Sequence, residues 1–213
     1  MNPAVNPAVP DVRLAGVVIG GDAAPWRSIG LSTDPTGRIA FANGALEFAP
    51  ASEGIVALAI DGLDDLPTDI EGVPLRQGTT VPAVEHPLGA FEIDHVVVMT
   101  DSLERTSQAV TDALGLECRR IRETDTVRQA FHRFADQGGV RGCIIEIVEN
   151  PSVRQPALFG LVLNLSDLDE ALAGMGTELV GAPKPAVQPG RRIATVRGGA
   201  GLGVAVALMS PDT

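Results

Sequence analysis

Tyrosine is absent from this sequence, tryptophan occurs once, and 16 Lys and Arg face 27 Asp and Glu for a net charge of −11. A chain of that sign repels phosphate backbones, and it has few aromatic rings on which bases could stack, so nucleic acid is not an expected partner. No apolar run approaches the roughly 20 residues that span a bilayer, and the N-terminal stretch has neither a basic start nor an apolar core, so neither a membrane span nor a signal peptide is expected and a cytoplasmic location is. The two cysteines, Cys118 and Cys143, lack CxxC spacing and read as reduced, partly buried thiols. Nucleophile-elbow GxSxG, zinc-protease HExxH and phosphate-loop GK[ST] patterns are all missing.

What is present is a repeat. The stretch FEIDHVVVMTDSLERTSQAVTDALG, residues 91–115, reads as a strand carrying one histidine and then a helix, with Asp101 as N-cap, Glu104 closing a capping box, and Gly115 as a left-handed stop. Leu103, Thr106, Val110 and Leu114 make the buried stripe of that helix. The pattern returns 66 residues later, where Leu161 takes the place of His95 and Asp167 that of Asp101. A fainter echo lies 79 residues earlier, with Gly16 at the histidine position. Pro25 suits the first turn of a short helix, PWRSIGL, where Trp26 would pack onto a sheet. Asn43-Gly44 then separates two strands, RIAFA and ALEFA, as a hairpin signal. Strand, helix and three strands, repeated, predict an α+β protein.

These features resemble the vicinal oxygen chelate superfamily, to which glyoxalase I, methylmalonyl-CoA epimerases, extradiol dioxygenases and bleomycin-binding proteins belong. The resemblance rests on "DHVVVMTDSLER", "IIEIVENP" and "GLGVAVALMSP". It implies paired βαβββ modules forming a cup-shaped sheet, with a shortened, degenerate N-terminal copy. The expected boundaries are a flexible arm at 1–11, the degenerate module or modules at 12–72, a connector at 73–90, and a two-module domain at 91–213, its halves at 91–151 and 159–211. His86 falls in the connector as a solvated histidine.

The resemblance also implies a divalent ion (Zn, Mn, Fe or Ni) held from the first and last strands of a module, here His95 and Glu146. The matching positions are Leu161 and Val206 in the second module and Gly16 and Glu47 in the N-terminal copy, so the ligand set is incomplete. Apart from the family, Glu146 stands alone among Ile144, Ile145, Ile147 and Val148, where a carboxylate needs a partner, and His95 is the obvious one. His132 is the candidate third donor or proton carrier, with Glu146 as the other catalytic group. Arg191, Arg192 and Arg197 could hold an acidic substrate, and Arg133 is grouped with them as substrate-binding. The expected function is a lyase, isomerase or dioxygenase acting on a small organic acid, or else a metal-free sequestering protein; a homodimer is the expected assembly.

Overall fold

The computed structural model describes residues 11–211. The arm read at residues 1–11 therefore lies, but for Asp11, outside the described residues. The chain runs β1 (Arg13–Gly20), α1 (Ala24–Ser28), β2 (Ile39–Phe41), β3 (Gly44–Ala49), β4 (Ile55–Asp61), β5 (Asp69–Ile70), β6 (Val73–Gln77), β7 (Ala90–Thr100), α2 (Leu103–Leu114), β8 (Cys118–Glu123), β9 (Arg128–Arg133), β10 (Ile144–Glu149), β11 (Ala157–Leu165), α3 (Leu168–Met175), β12 (Lys184–Pro185), β13 (Arg192–Thr195) and β14 (Ala205–Met209). A single 3₁₀ turn, Gly198–Ala200, joins the last two strands.

The eight-stranded sheet has the order β12-β13-β14-β11-β7-β10-β9-β8. In each half the first strand pairs parallel with the last, β7 with β10 and β11 with β14, and the two first strands pair antiparallel at the centre. That is the paired βαβββ arrangement the repeat predicts. Helix α2 covers one face with Leu103, Thr106, Val110 and Leu114, and it stops at Gly115, whose φ of 67° is the left-handed conformation glycine takes without strain. Its start differs from expectation. The N-cap is Ser102, and the Leu103 amide is satisfied from across the sheet by Glu149, at 3.0 Å. Asp101 binds Arg105 instead, whereas Asp167 does cap α3 through the Glu170 amide, at 3.0 Å.

That one-residue difference at the helix start moves the repeat register. With Ser102 aligned on Asp167, the place of His95 falls on Gly160 and that of Glu146 on Ala207, because Gly160 pairs with Ala205 as His95 pairs with Ile144. Leu161 and Val206, the positions matched by sequence, pair with each other on the opposite, buried face. A slip of one residue in a strand turns every side chain over.

The N-terminal sheet has the order β2-β3-β1-β4-β6-β5, with β1 parallel to β3, β1 antiparallel to β4, and β4 parallel to β6. Strand β6 occupies residues read as connector, which therefore begins after Gln77. Trp26, the buried residue of α1, meets Phe48 edge-on, as expected of an anchor. The hairpin turn sits one residue early, on Ala42 and Asn43, since Phe41 pairs with Gly44. Asn43 is buried and ties the two sheets together: it accepts from the Ile93 amide at 2.9 Å and donates to the carbonyls of Ile93 at 2.9 Å and Arg141 at 3.0 Å. His86 is buried too. The Ser32 amide donates to its Nδ1 at 3.0 Å, and its Nε2 donates to the Ala40 carbonyl at 3.2 Å, so it pins the connector to β2 rather than facing solvent.

Candidate functional site

Strand β7 alternates, so Val96 and Val98 face the helix layer while His95 and Val97 face the other way. Parallel pairing with β10 places Ile144 beside His95 and Glu146 beside Val97, and antiparallel pairing with β9 places Phe131 beside Glu146. His95 and Glu146 are thus diagonal neighbours on one face. Their Nε2 and Oε2 atoms are 3.0 Å apart, and both side chains are largely buried. This is the partner that the lone carboxylate of β10 required.

Behind His95 is a second acid. Asp94 Oδ2 lies 2.7 Å from His95 Nδ1, and Asp94 Oδ1 receives Arg141 at 2.8 Å, Arg191 at 2.9 Å and the Asn164 amide at 2.9 Å. Burial alone would push the Asp94 carboxyl up. The hydrogen bond and charge of His95, with the bonds from Arg191 and Asn164, outweigh it and hold the group well below the usual carboxylate range. Asn164 also donates to the buried Glu92, at 2.5 Å, and accepts from Arg191. Burial raises the Glu92 carboxyl, against the bond from Asn164 and the charge of Arg141. On the far side, Glu146 Oε1 receives the Gln129 amide, and that amide's oxygen is fixed by Arg122 at 2.7 Å. One oxygen of Glu146 is therefore committed to the protein, and the other meets His95.

The pair forms the floor of a cavity of about 510 Å³. Phe131, Ile144, Ile193 and Met209 give it apolar walls, and Arg120 of β8 and Lys184 of β12 also line it. Those two strands are opposite edges of the sheet, so the sheet curls until its edges face each other across one hollow.

Several expected site residues lie elsewhere. His132 pairs across from Ile145, on the face opposite Glu146. It is fully buried under α2, its Nδ1 donating to the Leu116 carbonyl at 2.7 Å and its Nε2 accepting from the Ser107 hydroxyl at 2.8 Å. Burial lowers its pKa, with the Leu116 carbonyl opposing, and the ring bridges Ser107 to Leu116 on the face away from Glu146. Arg191 is buried as the partner of Asp94, with its Nε on the Ser210 carbonyl at 2.8 Å. Arg192 is exposed and paired with Asp169 at 2.7 Å, Arg197 donates to the Val180 carbonyl at 3.3 Å, and Arg133 lies 3.8 Å from Asp136. None of the four lines the cavity. Of the thiols, Cys143 is buried and Cys118 exposed.

The divalent ion implied by the resemblance would find two protein donors, His95 Nε2 and Glu146 Oε2. The corresponding residues of the second half are Gly160 and Ala207, and the described residues contain no group of three His, Cys, Asp or Glu that could hold an ion. A catalytic ion of this kind takes three protein ligands. The donor set does not fit one.

Arg120 and Lys184 were not singled out by the sequence. Their common cavity depends on the curl of the sheet, which no local pattern encodes.

No family model matches the sequence, and no curated protein is similar to it. Among solved structures, a variant of Streptomyces coelicolor methylmalonyl-CoA epimerase in complex with 2-nitronate-propionyl-CoA is 17% identical, with a TM-score of 0.50, over 58% of this chain and 99% of that one. A methylmalonyl-CoA epimerase in complex with methylmalonyl-CoA and ammonium is 16% identical, with a TM-score of 0.50, over 58% of this chain and 96% of that one. With the parallel pairing of first and last strands in each half and the antiparallel join between halves, this likeness shows that residues of the eight-stranded sheet share the fold of these epimerase structures.

Proposed function

We propose that the chain is an enzyme that moves a proton on a small organic acid, an isomerase or lyase of the vicinal oxygen chelate type, with Glu146 and His95 as its acid–base pair. The observation that carries this reading is the 3.0 Å contact between His95 Nε2 and Glu146 Oε2 on the floor of an apolar cavity, with Asp94 fixed behind the ring. Asp94, held as an anion, takes the Nδ1 proton, so the ring presents Nε2 to the cavity. Nε2 then lies within hydrogen-bond distance of Oε2.

In this mechanism a substrate C–H next to a carbonyl enters beside Oε2. Glu146 takes the proton, the electron pair moves to the carbonyl oxygen, and the protonated His95 ring faces the new negative charge. Return of a proton to carbon completes an isomerisation; loss of a leaving group from the neighbouring carbon completes an elimination. Gln129 and Arg122 keep Glu146 turned toward the cavity. The two structures of like fold are methylmalonyl-CoA epimerases by name, which suits a reading as an isomerase. No step is routed through a metal.

We read the N-terminal sheet as a shortened form of the same pair of modules. Gly16 and Glu47 stand where His95 and Glu146 stand, and Glu47 is neutralised by Arg76 instead of a histidine.

Incubation with a panel of small acyl acids and thioesters in heavy water tests the function. Deuterium entering next to the carbonyl in the wild type, and lost in Glu146→Gln, is the expected result. No exchange above the Glu146→Gln level for any member would sink the acid–base reading and favour a metal-free protein that sequesters its ligand, a reading that the apolar lining also suits.

A further inference from the structure

Arg120 and Lys184 are the two cations that line the cavity, and most other cations near the eight-stranded sheet are already bound. Arg122 is bound to Gln129, Arg128 to Glu149 and Glu104, Arg192 to Asp169, and Arg141 and Arg191 to Asp94. The side chains of Arg120 and Lys184 have no hydrogen-bonded or ion-paired partner among the described residues, although the chain carries 27 acidic residues. Lys184 is also the sole lysine of the sequence. Two unpaired cations, one from each edge strand, therefore line a single cavity whose one acidic group, Glu146, is already bonded to His95 and Gln129.

We propose that Arg120 and Lys184 form an oxyanion clamp at the rim of the cup, which selects ligands with an apolar body and a terminal carboxylate or phosphate. This inference rests on the reading that the cup binds a small organic acid, and it names the subsite that would recognise it. The guanidinium offers a planar fork to two oxygens, and the ammonium a point charge from the facing wall. Phe131, Ile144, Ile193 and Met209 cover the apolar body between that rim and the floor. The clamp and the acid–base pair are thus separate parts of one cavity, and a ligand gripped at its anionic end has its other carbons available to Glu146.

The lone lysine supplies the test, because the α-amino group is the sole other amine that an acylating reagent meets. Acetylation of Lys184 in the full chain is followed by mass spectrometry with phenylpropanoate, phenylpropyl phosphate or phenylpropanol present. Both anions should slow acetylation at least about fivefold at saturation while the alcohol leaves it unchanged, and Arg120→Gln should raise the anion concentration needed for half of that slowing about tenfold, the scale of one lost charge-assisted contact. The better protector of the two anions shows whether the clamp prefers carboxylate or phosphate. His95→Gln should retain the protection, so a clamp that works in a protein without proton exchange would refute only the acid–base reading. Equal protection by the alcohol, protection unaffected by Arg120→Gln, or no protection by either anion would overturn the clamp.

Discussion

His95 Nε2 stands 3.0 Å from Glu146 Oε2, a contact that requires one proton and has room for only one. Glu146→Gln keeps the shape and the bond to Gln129 but removes the base. Deuterium exchange into a substrate should fall about 10²- to 10⁴-fold, the range for loss of a positioned general base. The fold should be unchanged by circular dichroism.

Asp94 ties the pH dependence of stability to the site. Its folded-state pKa lies below its unfolded value, so its contribution is present above about pH 4, the unfolded carboxylate range, and is lost as pH falls through the folded value. Glu92 is raised and works in the opposite sense. Melting curves between pH 7 and pH 2 should show the loss in the wild type and a shallower slope in Asp94→Asn. At pH 7 that variant should already be less stable by about 3–5 kcal/mol, the scale for removing one member of a buried ion pair, because Arg191 and Arg141 both lose the buried carboxylate they bind.

His132→Gln separates the buried histidine from the acid–base pair. Loss of the bridge from Ser107 to the Leu116 carbonyl should cost about 1–3 kcal/mol in urea denaturation. Ligand binding in the cavity should stay within about twofold, since the ring lies on the other face of β9. The folded-state pKa of His132 is lowered, so its contribution is full above the unfolded value near 6.5 and is lost as pH falls below it. The variant should lack that step.

Gly160 shows why the second half of the cup carries no counterpart of His95. A Cβ there would stand 2.5 Å from the Ala205 carbonyl oxygen and 2.9 Å from the Ala205 side chain. Gly160→Ala should destabilise the protein by about 1–3 kcal/mol, the cost of forcing extra atoms into a packed region. A metal site completed by Gly160→His should not fold at all.

Elemental analysis of the purified protein, soaked in Zn, Mn, Fe or Ni and then desalted, measures the donor set directly. Two protein ligands should retain far less than one ion per chain, and the double variant His95→Ala, Glu146→Ala should match the wild type. Stoichiometric ion in the wild type that the variant lacks would mean that the chain supplies further ligands.

Much of this arrangement was legible in the sequence, for reasons that can be named. Helix α2 was readable because its stripe and Gly115 are local signals. The pairing of His95 with Glu146 was readable because one acid among isoleucines needs a partner. The side on which His132 projects was not, because it depends on the register of β9 against β10. The misplacement of Leu161 has the same origin: Asp101 resembles Asp167 in chemistry, yet the backbone equates Ser102 with it. Arg191 read as one of three arginines that could hold an acidic substrate, and only the fold shows it bonded to Asp94.

Asn43 bonds to both backbone groups of Ile93, two positions before His95. Removal of the N-terminal sheet would take away the two bonds of Asn43 and open the Ile93 amide and carbonyl to water two residues from His95. Residues 11–78 thus act as a plug for the open side of β7, and an engineered cup built from residues 79–211 should need a substitute for Asn43.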